Sequence, residues 1–159
     1  MDIRIGNGYD VHALAPGESL WLGGIEFQHE KGTVAHSDGD VLIHAICDAM
    51  LGALALRDIG FHFPDSSSDY KNADSKVLLK RCADLIAQNG YRIGNIDSTI
   101  CAQRPKLMNR IPEMCQCLAS ILELPVDRVS VKATTTEQLG FVGREEGMSA
   151  YAVIILFSK

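Results

Sequence analysis

From Val41 to Leu51 the chain reads V-L-I-H-A-I-C-D-A-M-L, apolar on every side except at His44 and Asp48. A helix with that pattern is buried all round rather than laid on a surface. Ser37 or Asp38 can cap it and Asp40 favours its first turn, so the helix is expected to start near Gly39 and to end near Leu56. Asp40, His44 and Asp48 recur every four residues and therefore form one stripe. Left unpartnered in an apolar interior, each polar group of that stripe would cost on the order of a few kcal/mol. The stripe must meet a metal, a ligand or another polar element.

Around this helix the pattern predicts further elements. Ile3 and Ile5 alternate with Asp2 and Arg4 as a strand does, and Gly6-Asn7-Gly8 reads as a flexible approach to Asp10. Trp21 to Phe27 reads as a short hairpin turning at Gly23-Gly24, followed by a solvated stretch from Gln28 to Gly32. Arg57 to Gly60 closes the central helix, and Phe61 to Asn72, with Pro64 and three consecutive serines, reads as a mobile loop. Ser75 to Asn89 has amphipathic spacing and is ended by Gly90, and Ile111 to Leu122 forms a second such helix opened by Pro112. Arg92 to Ala102 and Val126 to Ala133 read as strands, the former weakened at its start by Gly94 and Asn95. Ser149 to Phe157 is nearly continuously apolar, which predicts a central strand buried on both faces.

Composition narrows the function classes. With 159 residues, 47% of them hydrophobic, the chain is long enough to bury the core of one domain. A formal charge of -5 offers no footprint for nucleic acid or an anionic membrane. No run is long enough to span a bilayer, and the strand pattern begins at once, leaving no room for a signal peptide. Five cysteines, an odd number without paired spacing, read as reduced core thiols and predict a cytoplasmic protein.

The candidate chemistry lies in two stretches. On a strand, Asp10 and His12 point to the same side. Facing His44, they would supply three ligands of a tetrahedral divalent metal with a fourth position open, as in a catalytic zinc site. The plainer alternative is a core histidine satisfied by one hydrogen bond and an aspartate in a turn. Further on, Lys132-Ala133-Thr134-Thr135-Thr136-Glu137 leads to Gly140-Phe141 and Gly143-Arg144. It gathers hydroxyls, backbone N–H groups, a carboxylate and cations at a strand end, which suits phosphate oxygens and a Mg²⁺ held through Glu137. Here the plainer alternatives are Thr136 as the cap of a short helix, Lys132 as a solvated residue, and Arg144 in a surface ion pair with Glu145 or Glu146.

These stretches, with His36-Ser37-Asp38-Gly39-Asp40, Asp58-Ile59-Gly60, Phe63-Pro64-Asp65 and Pro105-Lys106, closely resemble the 2-C-methyl-D-erythritol 2,4-cyclodiphosphate synthase family over essentially the whole chain. The resemblance implies a single α/β (α+β) domain over residues 1–159, with a mixed sheet covered by helices on one side. It implies a homotrimer with the sheets facing the three-fold axis and active sites between subunits. The implied reaction converts 4-diphosphocytidyl-2-C-methyl-D-erythritol 2-phosphate to the cyclic diphosphate with release of CMP.

Residue by residue, the resemblance implies Zn²⁺, or another divalent transition metal, at Asp10, His12 and His44, and Mg²⁺ or Mn²⁺ at Glu137 with the substrate diphosphate. His36 and Thr135 fall at the positions that stabilise the transition state, with Ser37 beside the phosphate. Asp58, Ile59, Gly60, Phe63, Pro64, Asp65, Ser66 and Ser67 fall on the methylerythritol site. Ala102, Gln103, Arg104, Pro105, Lys106, Leu107, Met108 and Thr134 fall on the cytidine pocket, and Thr136, Phe141 and Arg144 complete the substrate-facing set. An isoprenoid diphosphate is the implied ligand of a central cavity near Arg144 and Glu146. The stretch from Asp65 to Asp69 is richer in serine than the family pattern. Asp48 is expected either to orient a metal ligand or to end the polar stripe. Two other readings stay open: a zinc hydrolase, which has no use for the Thr134 to Glu137 cluster, and a non-catalytic metal- or isoprenoid-binding trimer.

Overall fold

The computed structural model describes residues 2–64 and 73–159. Asp65, Ser66 and Ser67, and most of the loop expected to be mobile, lie outside the described residues. A five-stranded mixed sheet has the order β4-β1-β7-β5-β6, where β1 is Ile3–Pro16, β4 Lys31–Thr33, β5 Tyr91–Cys101, β6 Val129–Thr134 and β7 Gly147–Ser158. Among the described residues only β5 and β6 run parallel; the other neighbours are antiparallel. The hairpin β2 (Leu20–Leu22) and β3 (Ile25–Phe27) turns at Gly23 and Gly24, both at positive φ, as its sequence predicts. Helices α1 (Val41–Ala53), α3 (Ser75–Gln88) and α4 (Ile111–Leu122) pack on one face of the sheet over a single apolar core.

Several expectations change. Gly6 and Gly8 are not a flexible approach but sit inside β1, because a Cβ at either position would overlap the carbonyl oxygen of Ala49 or Ala45. Their bareness is what lets α1 lie against the strand. The helix starts at Val41 rather than Gly39, since Gly39 has φ +69 and the capping side chain is Asp40, which accepts from Ile43 N at 3.0 Å. Residues expected to be a solvated stretch before it end in β4, an edge strand paired with β1. Val126–Arg128 is a single 3-10 turn, and the strand begins only at Val129. The bulge in β5 falls between Ile93 and Asn95, where Gly94 had weakened the pattern.

The largest correction concerns β7. It is central, but among the described residues only one of its faces is covered. On the face away from the helices, Ile5 is 70% exposed, Tyr151 48% and Val153 44%, with Ile3, Tyr9 and Val11 beside them on β1. Strand alternation puts these residues on one side of the sheet and the helix-facing Ala150, Ala152 and Ile154 on the other.

Candidate metal centre and active site

Asp10 and His12 alternate with the exposed Tyr9 and Val11 along β1, so they face the helix layer, where the second turn of α1 brings His44 to them. Asp10 Oδ2 lies 3.1 Å from His12 Nε2 and 3.1 Å from His44 Nδ1. The two imidazole nitrogens are themselves 3.1 Å apart. A proton can bridge one edge of such a triangle well, but not all three. A divalent ion with N and O ligands at about 2.0–2.1 Å in a tetrahedron would give ligand–ligand edges of roughly 3.3 Å. The three side chains therefore fit one face of a tetrahedral metal site, and among the described residues they are the group close enough to hold an ion.

Burial alone would raise the Asp10 carboxyl, but its hydrogen bonds with His12 and His44 prevail and hold it well below the usual carboxylate range. Burial alone would depress His44, yet the hydrogen bond and charge of Asp10 raise its imidazole above the ordinary value. Next to the triad is a cavity of about 360 Å³, lined in part by His36, Ser37, Ile59, Gly60 and Phe63. Val34, Ala35 and Leu78, which the motif reading did not name, line it as well.

The polar stripe of α1 does not act as one unit. Asp40 is fully buried and turns the other way, accepting from Gly23 N at 3.0 Å and Gly24 N at 2.7 Å, so it ties the hairpin to the helix start. Burial raises its carboxyl, against these backbone donors. Asp48 accepts from Ile59 N at 2.7 Å and so fixes the start of α2 (Ile59–His62), whose cap Asp58 accepts from Phe61 N at 2.8 Å. Asp48 thus holds a wall of the cavity rather than a metal ligand. Part of the stretch expected to be loop is this short helix, and Pro64 lies exposed just beyond it.

The second stretch gathers elsewhere. β5 and β6 end side by side, and Ala102 N donates to Thr134 O at 3.0 Å, which places the loop from Ala102 to Met108 against the threonines. Thr135 Oγ1 donates to Glu137 Oε1 at 3.0 Å, while Glu137 and Gln138 both have positive φ. Thr136 is not a helix cap: its hydroxyl donates to Leu139 O at 2.7 Å, and α5 (Gly140–Gly143), which contains Phe141, is capped by no side chain. Arg104 makes a forked ion pair with Glu145 at 2.8 Å and also meets Glu30 at 2.9 Å. Gln103 Oε1 is buried without a partner among the described residues, Leu107 is buried, and Lys106 and Met108 are exposed. Arg144 pairs with Glu146 at 2.9 Å and Lys132 with Asp97 at 2.6 Å, the plainer outcome for both. None of the residues 102–108 or 134–144 lines the cavity beside the triad.

Sequence reasoning also missed Ser75. It is buried at the first position of α3, with its Oγ 3.0 Å from His44 Nε2. No local pattern marks a serine 31 residues away as the neighbour of His44. The contact exists only after α1 and α3 pack together.

A profile of the YgbB family matches residues 3–157. The chain is 63% identical over 156 residues to the 2-C-methyl-D-erythritol 2,4-cyclodiphosphate synthase of Phocaeicola vulgatus, covering 98% of each. Among solved structures it is similar to the bifunctional IspDF from Campylobacter jejuni, with TM-score 0.95 and 44% identity over 99% of this chain and 43% of that one. It is also similar to IspF of Plasmodium falciparum, solved as a CDP complex, with TM-score 0.87 and 35% identity over 99% and 97%.

Proposed function

Because the chain belongs to the YgbB family of 2-C-methyl-D-erythritol 2,4-cyclodiphosphate synthases, we propose that its two separated clusters are the two halves of one active site, joined between neighbouring copies. The enzyme converts 4-diphosphocytidyl-2-C-methyl-D-erythritol 2-phosphate to 2-C-methyl-D-erythritol 2,4-cyclodiphosphate and CMP, a step of isoprenoid precursor synthesis. An oxygen of the 2-phosphate forms a bond to the distal phosphorus of the diphosphate. The bond from that phosphorus to the bridging oxygen breaks, and CMP leaves with the electron pair. The nucleophile is already ionised, so the protein's task is to bring anions together in line rather than to remove a proton.

Asp10, His12 and His44 would hold Zn²⁺ or a similar divalent ion, and Glu137 would hold Mg²⁺ or Mn²⁺. Bound there, such ions neutralise and polarise diphosphate oxygens. His36, at the mouth of the cavity, and the Thr135 hydroxyl donate to phosphoryl oxygens as charge develops. Asp58, Ile59, Gly60 and Phe63 enclose the methylerythritol portion, and the Ala102 to Met108 loop with Thr134 takes the cytidine.

The observation that carries the shared site is the uncovered apolar sheet face, with Ile5, Tyr9, Val11, Tyr151 and Val153 on one side of a central strand. Apolar patches of this kind mark protein interfaces. We read it as the homotrimer surface facing a three-fold axis, with an axial cavity near Arg144 and Glu146 for an isoprenoid diphosphate. Residues 1–159 act as one synthase domain. The five free cysteines fit a reducing, cytoplasmic location.

Incubating the purified enzyme with substrate and following phosphorus NMR tests the reaction. Equal amounts of CMP and cyclic diphosphate are expected. CMP accompanied by an open bisphosphate would instead indicate metal-assisted hydrolysis.

A further inference from the structure

Ser75 sits between two groups of opposite demand. On one side is His44 Nε2, at 3.0 Å. On the other is Asp38 Oδ1, to which the Ser75 hydroxyl donates. Asp38 is fixed as an acceptor by its surroundings: Oδ1 also accepts from Asp40 N at 3.1 Å, and Oδ2 accepts from Ser75 N at 2.9 Å. Its own N–H donates to Ala73 O at 3.2 Å, so the turn before α1 and the start of α3 are locked together.

A hydroxyl has one proton. Given to Asp38, it leaves Ser75 Oγ with only lone pairs toward His44, and the contact is a hydrogen bond only if Nε2 carries the imidazole proton. Nδ1 is then bare, and Nδ1 is the atom that faces Asp10 and His12. Ser37 Oγ is the more distant neighbour of Nε2, at 3.3 Å, and accepts from Gly39 N.

We propose that Ser75, oriented by Asp38, is a positioning residue of the metal centre, taking the Nε2 proton of His44 so that Nδ1 is presented unprotonated to the metal. The proposal rests on the metal reading given under Proposed function. It also links the ligand to α3, because Ser75 is the first residue of that helix. Groups that hold the far nitrogen of a ligating histidine commonly change metal affinity by about 10–100-fold when removed.

The test compares zinc affinity, by competition with a chromophoric chelator, for the unsubstituted enzyme, Ser75→Ala and His44→Ala, together with the melting temperature of each metal-free protein. Ser75→Ala is expected to weaken zinc binding by about 10–100-fold while melting, metal-free, close to the unsubstituted protein; His44→Ala is expected to lose the ion. Affinity within threefold of the unsubstituted enzyme in Ser75→Ala overturns the role of Ser75 and leaves the metal site standing. Failure of the unsubstituted enzyme to bind zinc overturns both. If Ser75→Ala does not fold, long-range proton–nitrogen NMR of the zinc-loaded unsubstituted enzyme decides. A His44 Nε2 proton that exchanges slowly with water supports the proposal, and one that exchanges as fast as an exposed imidazole proton overturns it.

Discussion

Val11 and Thr134 stand in one row of the sheet, linked through Ser149 and Cys101 by successive strand pairings. Three strand spacings separate them by about 14 Å. Val11 lies between Asp10 and His12, two of the candidate metal ligands, and Thr134 opens the threonine cluster, so the row separates the two clusters of the candidate site. Within one chain the row sets the triad and the threonine cluster on strands three spacings apart. In the shared site proposed above, a second copy supplies the other half.

The packing of α1 on β1 brings the three candidate metal ligands together, and this makes Gly8→Ala a sharp test. The added methyl overlaps the Ala45 carbonyl oxygen, one residue from His44, and neither backbone can yield without parting strand from helix. A loss of about 3 kcal/mol in denaturant unfolding is expected, as for a forced overpacking, together with weakened zinc binding.

Metal removal should show opposite pH trends in the two forms. In the metal-free protein the His44 pKa is raised above 6.5 by Asp10. Its stabilisation is therefore complete below the unfolded value and lost as pH rises through the folded value. The Asp10 pKa is lowered, so its contribution is present above the ordinary carboxylate value and lost only in acid. Metal binding requires His44 unprotonated at Nδ1. The gain in melting temperature on adding zinc should thus grow as pH rises from the ordinary imidazole value through the raised value of His44. A gain independent of pH would mean that His44 is not a ligand.

Glu137→Gln should leave zinc bound and slow the reaction. The amide keeps the shape but removes the charge that draws Mg²⁺, and losing one such contact commonly costs about a hundredfold or more in rate. Zinc by mass spectrometry and CMP release across a Mg²⁺ titration would measure it. Unchanged turnover and Mg²⁺ dependence would place the second cation elsewhere.

Charge on the open sheet face should separate assembly from metal binding. In Val153→Glu, a carboxylate replaces one of the exposed apolar residues beside Tyr151. Sedimentation should show a monomer that still binds zinc but has only background activity. A fully active monomer would contradict the shared site.

Local pattern was enough for much of this molecule. The buried helix, the Gly23-Gly24 hairpin and both amphipathic helices follow from periodicity and turn residues, and the two-residue spacing of Asp10 and His12 brought both to His44. What escaped depends on tertiary contact. Gly6 and Gly8 look flexible until α1 lies on them. Asp40 and Asp48 share a stripe with His44, but the hairpin and α2 claim them. β7 is apolar on both faces, yet a single chain covers only one. Ser75 could not be found, because its partners Asp38 and His44 belong to another helix and its approach.

Mixing two inactive variants tests the two-chain site most directly. His44→Ala keeps the Glu137 half of the site, and Glu137→Gln keeps the metal half. Each alone should be nearly inactive. Unfolded together in equal amounts and refolded, they would assemble at random, and about one site in four would join two intact halves from different copies. The two-chain site predicts recovery of about a quarter of unsubstituted activity in the mixture. Activity no greater than the sum of the separately refolded variants would mean that both halves serve one chain, and would contradict it.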